Sequence, residues 1–481
     1  MINNKNYRLE LYIGAFLSIL FVLQSLITIY DMNPWEDEIM LLDPAANLYF
    51  KGEFTSTAWA FQKSDEFWAC NTPLYSGSLF FWIKIFGYGI LQVRMFNVFL
   101  ITISAILIWL LLKRTSFITS PFRRIVFYIS FVFAHGISFI CGSGRYDSIS
   151  ILLFSLALYI LSIKKYFPRS ILLFFVGFLF PIGGLQLIAM TMIIGITAIL
   201  FFKQKVFKEL IYIGSGIFIG IISLLTFYFS KGVLSTFFFS TFGSQHTISG
   251  QIGQFLIQND QDGFVRYSDF FRIFTTDQTL LVLIPICIVI FIVSLKENAI
   301  YSNKPILFFL VLGLFMPIGM FVLGKFPLYY SWMAIIPLLI FIFSDRVSIV
   351  IQNYNLIFRM VIYTSIIFMI AVGRPAKLFS FENNIKGREI DIEYFNQNFN
   401  KKDEVYSDFR YYYELKPRVG MLYTPNYTGS QLLPNYPEAE KVRINKLFIQ
   451  MSNLDRAVNK IGGEWRQIDF NYGEYFIFER E

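Results

Sequence analysis

The stretch RSILLFFVGFLFPIGGLQLIAMTMIIGITAILFFK, residues 169–203, decides how this chain is organised. The 33 residues between Arg169 and Lys203 carry no charge. One helix of that length would be about 50 Å long, whereas the hydrocarbon of a bilayer is roughly 30 Å thick. The proline and glycines of FPIGGLQ, residues 180–186, interrupt the apolar run near its middle. The stretch therefore predicts a hairpin of two apolar helices with both basic ends on one side of a membrane.

The composition of the whole chain agrees with a membrane location. Of its 481 residues, 55% are hydrophobic and 15% are charged, and the mean hydropathy is +0.54. A soluble domain of this length is less apolar and more charged. The net charge of +8 is attributed to cytoplasmic loops, so no nucleic-acid partner is expected.

Apolar stretches recur along the chain at lengths near that of a membrane span. We place about eleven spans, at about 11–30, 91–112, 123–142, 148–163, 170–182, 184–202, 209–230, 279–295, 305–323, 328–344 and 355–373. Lys and Arg gather at alternate ends of these stretches, which assigns that side and the N-terminus to the cytoplasm. The chain is thus predicted to be a multi-pass protein of the inner (plasma) membrane, with outer loops at about 31–90 and 231–278.

The C-terminal part of the chain differs from the rest. Residues 374–481 are polar and rich in Tyr, with short alternating runs such as EYFIFERE. The sequence therefore predicts an α-helical polytopic membrane domain, 1–373, followed by a small extracytoplasmic mixed α/β domain.

A cluster of carboxylates follows the first apolar stretch, in NPWEDEIMLLDPAANLY, residues 33–49. Asn33 has the residue type of a helix cap, Pro34 suits the first helical position, and Glu36 lies three residues after the cap. This pattern predicts a helix start and a structural role for Glu36. Asp43, which precedes a proline, is interpreted as the cap of a second helix and is assigned no chemistry.

Asp37 and Glu38 have two interpretations that spacing alone does not separate. Acidic residues in a first helical turn complement the helix dipole. A carboxylate beside hydrocarbon also loses hydration, which makes it more basic and suits it to proton abstraction. Because neighbours on a helix diverge by about 100°, Glu36, Asp37 and Glu38 cannot converge on one metal ion.

The order of several motifs resembles a known family. The Asp-Glu pair is followed by AANLYFKGEF, PLYSGSLFFWIKIFG, QVRMFNVFL, GSGRYDSISILLFSLALYIL and GKFPLYYSWMAIIPLLI. This series resembles the GT-C superfamily of polyprenyl-phosphate-sugar-dependent glycosyltransferases, among them the bacterial relatives of protein O-mannosyltransferases and of aminoarabinose transferases.

The resemblance implies an enzyme that moves a hexosyl or pentosyl group. The donor would be a sugar on a polyprenyl phosphate, and the acceptor would be a glycan, lipid or protein on the extracytoplasmic face, with inversion at the anomeric carbon. By the same resemblance Asp37 is the candidate general base or acceptor-positioning residue, and Glu38 is its supporting partner. Membrane lipids are the other expected partners.

A leaving lipid phosphate needs positively charged partners. The basic candidates at the outer ends of spans are Arg145, Lys325 and Arg94; each is equally explained by snorkelling to the interface. We favour Arg145, because it shares a short turn with Asp147, which either supports the site or caps the following helix. Tyr329 and Tyr330 either donate to the phosphate or belong to an interfacial aromatic belt.

The outer loop at about 231–278 offers a lone His246 as an acceptor-side or metal residue, and a D-x-D at Asp260 and Asp262. The latter lacks the spacing of a calcium loop and ends in a good turn. Because some relatives use a divalent cation, the sequence leaves a metal open and requires no cofactor. The 3 Cys and 2 His lack the spacing of a zinc site, and no disulfide framework is expected.

Other classes of envelope protein remain as alternatives. A polytopic transporter or flippase would carry ionisable residues within its spans and pair broken helices in two halves. A glycan polymerase or ligase would usually lack the early Asp-Glu pair and the soluble tail. Here the ionisable residues gather at the outer ends of the spans, which favours the transferase.

Overall fold

A computed structural model describes residues 4–30, 32–59, 62–70, 72–238, 240–241, 277–295, 303–322, 327–372, 391–425, 438–468 and 472–481. Helices dominate up to residue 372. They are α1 (Asn4–Thr28), α2 (Glu36–Lys51), α3 (Pro73–Phe86), α4 (Ile90–Thr115), α5 (Pro121–Val132), α6 (His135–Gly142), α7 (Asp147–Leu161), α8 (Tyr166–Gly183), α9 (Gln186–Phe202), α10 (Phe207–Ser230), α11 (Leu234–Phe238), α12 (Gln278–Ser294), α13 (Lys304–Val322), α14 (Trp332–Phe343), α15 (Asp345–Asn353) and α16 (Leu356–Val372). Short 3₁₀ turns occupy Lys203–Val206 and Leu328–Tyr330.

Each of the eleven apolar stretches contains helix, and the stretch 123–142 contains two, α5 and α6. The expected eleven spans are not confirmed. Within the described residues, 4 helical segments are long and apolar enough to cross a membrane, and there are up to 6 if each of two bent pairs is one span. The bent pairs are α5 with α6, at 52°, and α14 with α15, at 57°. These segments make the chain an integral membrane protein.

The predicted break in the stretch 169–203 is present between α8 and α9. Helix α8 ends at Gly183 and α9 begins at Gln186, with Gly184 at the C-cap. Helix α10 then packs back against α8 at very short range: a Cβ on Gly216 would lie 2.1 Å from the carbonyl oxygen of Phe174. Such close backbone approach between helices requires small residues.

Helix α14 forms the centre of the helical part. Every residue of Trp332–Phe343 is buried, as expected for a helix that is apolar on all sides. The apolar cluster around it draws on most of the other helices, from Phe21 of α1 to Met369 of α16. The chain immediately before α14 is thereby held rigidly in place.

The C-terminal residues form a five-stranded mixed sheet, in agreement with the small α/β region expected there. Its elements are α17 (Ile392–Asn398), β1 (Glu404–Ser407), α18 (Tyr412–Leu415), β2 (Met421–Tyr423), α19 (Glu438–Arg443), β3 (Lys446–Gln450), α20 (Leu454–Ile461), β4 (Trp465–Gln467) and β5 (Tyr475–Arg480). The strand order is β2-β1-β3-β5-β4. Strand β1 is parallel to both neighbours, whereas β5 is antiparallel to β3 and β4.

This C-terminal region shares an apolar core with α2 and α3. Ile39 and Leu42 of α2 and Tyr75 of α3 belong to the same buried cluster as Phe448 and Ile477 of the sheet. The C-terminal region therefore lies against α2, which Tyr412, Tyr413 and Lys416 contact directly.

Helix α2 corrects two predictions. It begins at Glu36 with Trp35 at the N-cap, so the assignment of Asn33 as the cap is wrong. The indole Nε1 of Trp35 donates to the carbonyl oxygen of Ser143 at 3.0 Å, and this contact fixes where the helix starts. The second cap, at Asp43, is also wrong, because α2 continues through Asp43 and Pro44 to Lys51.

Asp43 has a different role from the cap that was predicted. Its carboxylate is fully buried, forms an ion pair with Lys416 and accepts a hydrogen bond from the hydroxyl of Tyr412. It also accepts from the backbone N–H of Thr57 at 2.7 Å. Lys416 holds the pKa of Asp43 below its ordinary value, although burial acts in the opposite direction. Asp43 therefore joins α2 to the C-terminal region.

Candidate active site

Arg145 lies at the centre of a group of charged side chains. Its Nε donates to Oδ2 of Asp147 at 2.7 Å, and its Nη1 donates to Oδ2 of Asp37. The side chain of Asp147 is fully buried, whereas 28% of the Asp37 side chain is exposed. Arg145 thus joins a buried carboxylate to one that solvent or a ligand can reach.

Aromatic rings surround the Arg145 guanidinium. Its central carbon lies 3.4 Å from the ring centroid of Tyr329, 5.3 Å from that of Tyr146 and 5.6 Å from that of Trp35. A cation over an aromatic face is attracted by the ring quadrupole. The rings limit the positions that the guanidinium can adopt.

The charge of Arg145 is fixed. Burial alone would lower the pKa of Arg145, but the neighbouring Asp147 carboxylate raises it above its ordinary value. Arg145 therefore remains a cation at any physiological pH and suits an anionic ligand.

A hydrogen-bond network supports the turn that presents Arg145. Gly144, with φ +60°, adopts a left-handed conformation that suits glycine. Its carbonyl oxygen accepts from the hydroxyl of Tyr75 at 2.6 Å. The side-chain amide of Asn97 donates to the carbonyl oxygen of Arg145 at 2.9 Å. Side chains from α3 and α4 therefore fix the turn between α6 and α7.

Glu38 and Arg94 form a second ion pair next to the first. Nε and Nη2 of Arg94 donate to the two carboxylate oxygens of Glu38 at 2.8 and 2.7 Å. Nη1 of Arg94 donates to the carbonyl oxygens of Ile29 and Met32. Neither side chain of the pair is exposed. Arg94 therefore does not extend to the interface, and its donors are committed to protein oxygens.

The structure brings together most of the predicted site residues. Asp37, Glu38, Arg94, Arg145, Asp147, Tyr329 and Tyr330 all belong to this group. The Tyr330 hydroxyl lies 3.3 Å from that of Tyr146 and is buried, and Tyr329 stacks on Phe139. Tyr329 thus contacts Arg145, and Tyr330 contacts Tyr146.

Asp147 is the first residue of α7, and Tyr146 occupies the N-cap position. A carboxylate in this first turn complements the helix dipole as well as pairing with Arg145.

Some predicted residues fall outside the described part of the chain, namely Lys325, His246, Asp260 and Asp262. Among the residues that are described, no group of three or more His, Cys, Asp or Glu is arranged to hold a metal ion.

Sequence reasoning missed two contributors to the site. Trp35 packs near Arg145, and the hydroxyl of Tyr413 donates to Oε1 of Glu38 at 2.8 Å. The only local signal for the second is the run of three tyrosines at 411–413. The sequence alone gives that run no function.

Two solved structures of one protein have the same architecture as this chain. ArnT from Cupriavidus metallidurans bound to undecaprenyl phosphate superposes with a TM-score of 0.60 over 96% of this chain and 97% of that chain, at 11% identity. The fold is that of ArnT. The apo state of the same ArnT gives a TM-score of 0.59 at 12% identity, again over 96% and 97% of the two chains. The resemblance to GT-C glycosyltransferases is thereby confirmed at the level of the fold.

Comparison by sequence adds nothing to the likeness to ArnT. The chain matches no family model and no curated protein.

Proposed function

We propose that this chain is a membrane glycosyltransferase that takes a sugar from a polyprenyl-phosphate carrier and transfers it, with inversion, to an acceptor on the extracytoplasmic face. The observation that carries the proposal is the ion pair of the partly exposed Asp37 with the fixed cation Arg145. The likeness to an ArnT structure that holds undecaprenyl phosphate supports the choice of carrier.

Arg145 is the proposed partner of the carrier phosphate. Its Nε and Nη1 donate to carboxylates, and its Nη2 extends the same planar fork, which matches the oxygens of a phosphate. As the bond between the anomeric carbon and the phosphate oxygen breaks, negative charge grows on the leaving phosphate. A preorganised guanidinium stabilises that charge.

Asp37 is the proposed general base. It accepts the proton of the acceptor hydroxyl or amine while the acceptor atom bonds to the anomeric carbon and the polyprenyl phosphate departs. In an inverting displacement the acceptor and the leaving group lie on opposite faces of the sugar. Because Asp37 and Arg145 are in direct contact here, the ion pair has to open for the sugar to enter between them.

Glu38 and Arg94 are proposed to support this pair. Their charges are mutually satisfied and fully buried, so neither is available to a ligand without disruption of the fold. Their role is to hold the first turn of α2 beside the end of α1.

The distribution of basic residues supports the proposed orientation. Lys and Arg at the alternate ends of the helices favour a cytoplasmic N-terminus, and α2, the turn at Arg145 and the C-terminal sheet would then face the opposite side. A lipid-phosphate donor suits that compartment, because nucleotide sugars are confined to the cytoplasm.

The test is a transfer reaction with defined donors. The purified chain in liposomes receives undecaprenyl phosphate carrying a radiolabelled pentose or hexose, together with extracted envelope glycans, lipids and proteins as acceptors. The proposal predicts a labelled acceptor and an equal amount of released undecaprenyl phosphate. Movement of the intact labelled donor between leaflets, without release of the carrier, would instead identify a flippase.

A further inference from the structure

Two consecutive tyrosines of the C-terminal region contact two carboxylates of α2. The hydroxyl of Tyr413 donates to Glu38 at 2.8 Å, and that of Tyr412 donates to Asp43. All four side chains are buried. Helix α18 therefore lies across the first half of the helix that presents Asp37.

The hydrogen bond from Tyr413 is one of three that the Glu38 carboxylate accepts. Oε1 of Glu38 accepts from both Arg94 and Tyr413, and Oε2 accepts from Arg94. A buried carboxylate with three donors has one favourable side-chain conformation. Tyr413 thus helps to fix the side chain next in sequence to Asp37.

Glu38 also packs against the turn that carries Arg145. A Cβ on Gly144 would lie 2.6 Å from Cγ of Glu38, so the backbone of the turn rests directly on this side chain. A shift of Glu38 would consequently move both sides of the ion pair: Asp37 through the helix, and Arg145 through Gly144.

From this arrangement we infer that Tyr413 is a positioning residue of the transferase, and that the C-terminal region is part of the catalytic unit. This inference rests on the proposed function. Tyr413 acts through Glu38 to set the distance and angle between Asp37 and Arg145, which govern how readily the sugar enters between them.

The chemistry of Tyr413 suits this role. Burial, followed by the charge of Glu38, raises the pKa of Tyr413 well above its ordinary value. The phenol is therefore a hydrogen-bond donor at every pH at which the protein is studied. Its ring also packs beside that of Tyr88 at a centroid distance of 5.8 Å.

The experiment compares Tyr413→Phe with Tyr412→Phe. Both variants remove one buried hydroxyl that donates to a carboxylate of α2, and they differ in which carboxylate loses its donor. Transfer of labelled sugar from undecaprenyl phosphate gives kcat and the donor KM, and hydrogen exchange reports the order of residues 36–42.

We expect Tyr413→Phe to lower kcat about tenfold at an unchanged donor KM, the effect of one lost hydrogen bond to a charged group. It should also speed exchange in the first turn of α2. Tyr412→Phe should keep kcat within about twofold of the wild type. Equal losses of kcat in both variants, or a loss that follows Tm alone, would overturn the inference.

Failure of the proposed function gives a different result. If the wild-type protein transfers no sugar, the transferase proposal fails, and the exchange comparison still decides whether Tyr413 orders the first turn of α2. Unchanged exchange in Tyr413→Phe would overturn the positioning role on its own.

Discussion

The two arginines that face α2 differ in how their charges are satisfied. Arg94 is fully buried and donates to Glu38 through two nitrogens and to two backbone carbonyls through the third. Arg145 divides its donors between the buried Asp147 and the partly exposed Asp37 and lies against the ring of Tyr329. The first pair is closed to ligands, and the second has one partner that can be exchanged.

The difference shows how two adjacent carboxylates come to have different surroundings and different expected roles. Asp37 and Glu38 are neighbours in the same helical turn, so their side chains leave the helix about 100° apart. That angle directs Glu38 inward to Arg94 and leaves Asp37 at the solvent-accessible edge. We expect loss of the closed pair to reduce stability and loss of the open pair to reduce activity.

The largest effect is expected for Asp37→Asn. Loss of the proposed general base should lower kcat for sugar transfer by about 10² to 10⁴-fold, with little change in Tm. The matched control is Glu36→Gln in the same turn, whose side chain is exposed and which should transfer normally. Equal activity of Asp37→Asn and the wild type would remove Asp37 from the reaction.

Arg94→Met tests the closed pair. It leaves the Glu38 carboxylate buried without its ion-pair partner, which costs about 3–5 kcal/mol of stability. Thermal unfolding of the purified protein measures this cost. Arg123→Met is the control, because the Arg123–Asp345 pair is partly exposed, at 24% and 27% of the side chains. A similar loss of Tm in both variants would contradict the distinction between buried and exposed pairs.

Arg145→Lys tests the planar fork of the open pair. Lysine keeps the charge but cannot bridge two acceptors with one rigid group. We expect kcat/KM for the lipid donor to fall about tenfold to a hundredfold, measured by transfer at varied donor concentration. Wild-type kinetics in this variant would show that charge alone is sufficient.

The smallest effect concerns Lys51, at the far end of α2, whose Nζ lies 3.0 Å from the sulfur of Met421. Burial, assisted by the charge of Lys416, lowers the pKa of Lys51 from 10.5 to about 8. Between pH 8 and 10.5 the unfolded chain holds a proton that the folded chain has lost, so stability rises with pH.

Lys51→Met removes that titration. Relative to the wild type, the variant should have a higher Tm, and the increase should be largest below pH 8. The corresponding gain in the free energy of unfolding should be less than about 1 kcal/mol, because the amine is partly solvated. The gain should shrink as the pH approaches 10.5. A difference in Tm that stays constant from pH 7 to 10.5 would show that Lys51 does not titrate in this range.

The features of the fold that depend on local sequence could be predicted. The apolar stretches and the break at Gly184 follow from hydrophobicity and from proline and glycine, which act over a few residues. The helix start at Asn33 was wrong, because a tertiary contact of Trp35 overrides the capping signal. Asp43 was likewise misread, since its partner Lys416 lies far along the chain.

The site was predictable only in its residue types. Carboxylates and arginines near the ends of apolar stretches could be selected from the sequence, but their pairing depends on the turn at Gly144 and on α18. No pattern within a short window indicates that Glu38 pairs with Arg94 and that Asp37 pairs with Arg145. The contribution of Tyr413 required the tertiary structure, because Tyr413 and Glu38 are 375 residues apart in the chain.

Binding of undecaprenyl phosphate to the purified protein tests most directly whether the carrier phosphate replaces Asp37 on Arg145. Asp37→Asn removes the competing carboxylate, so we predict that it binds the lipid at least as tightly as the wild type while it transfers sugar about 10² to 10⁴-fold more slowly. Arg145→Gln should weaken binding by at least about tenfold. Equal weakening of binding in the two variants, or unchanged binding in Arg145→Gln, would contradict the exchange of partners at this ion pair.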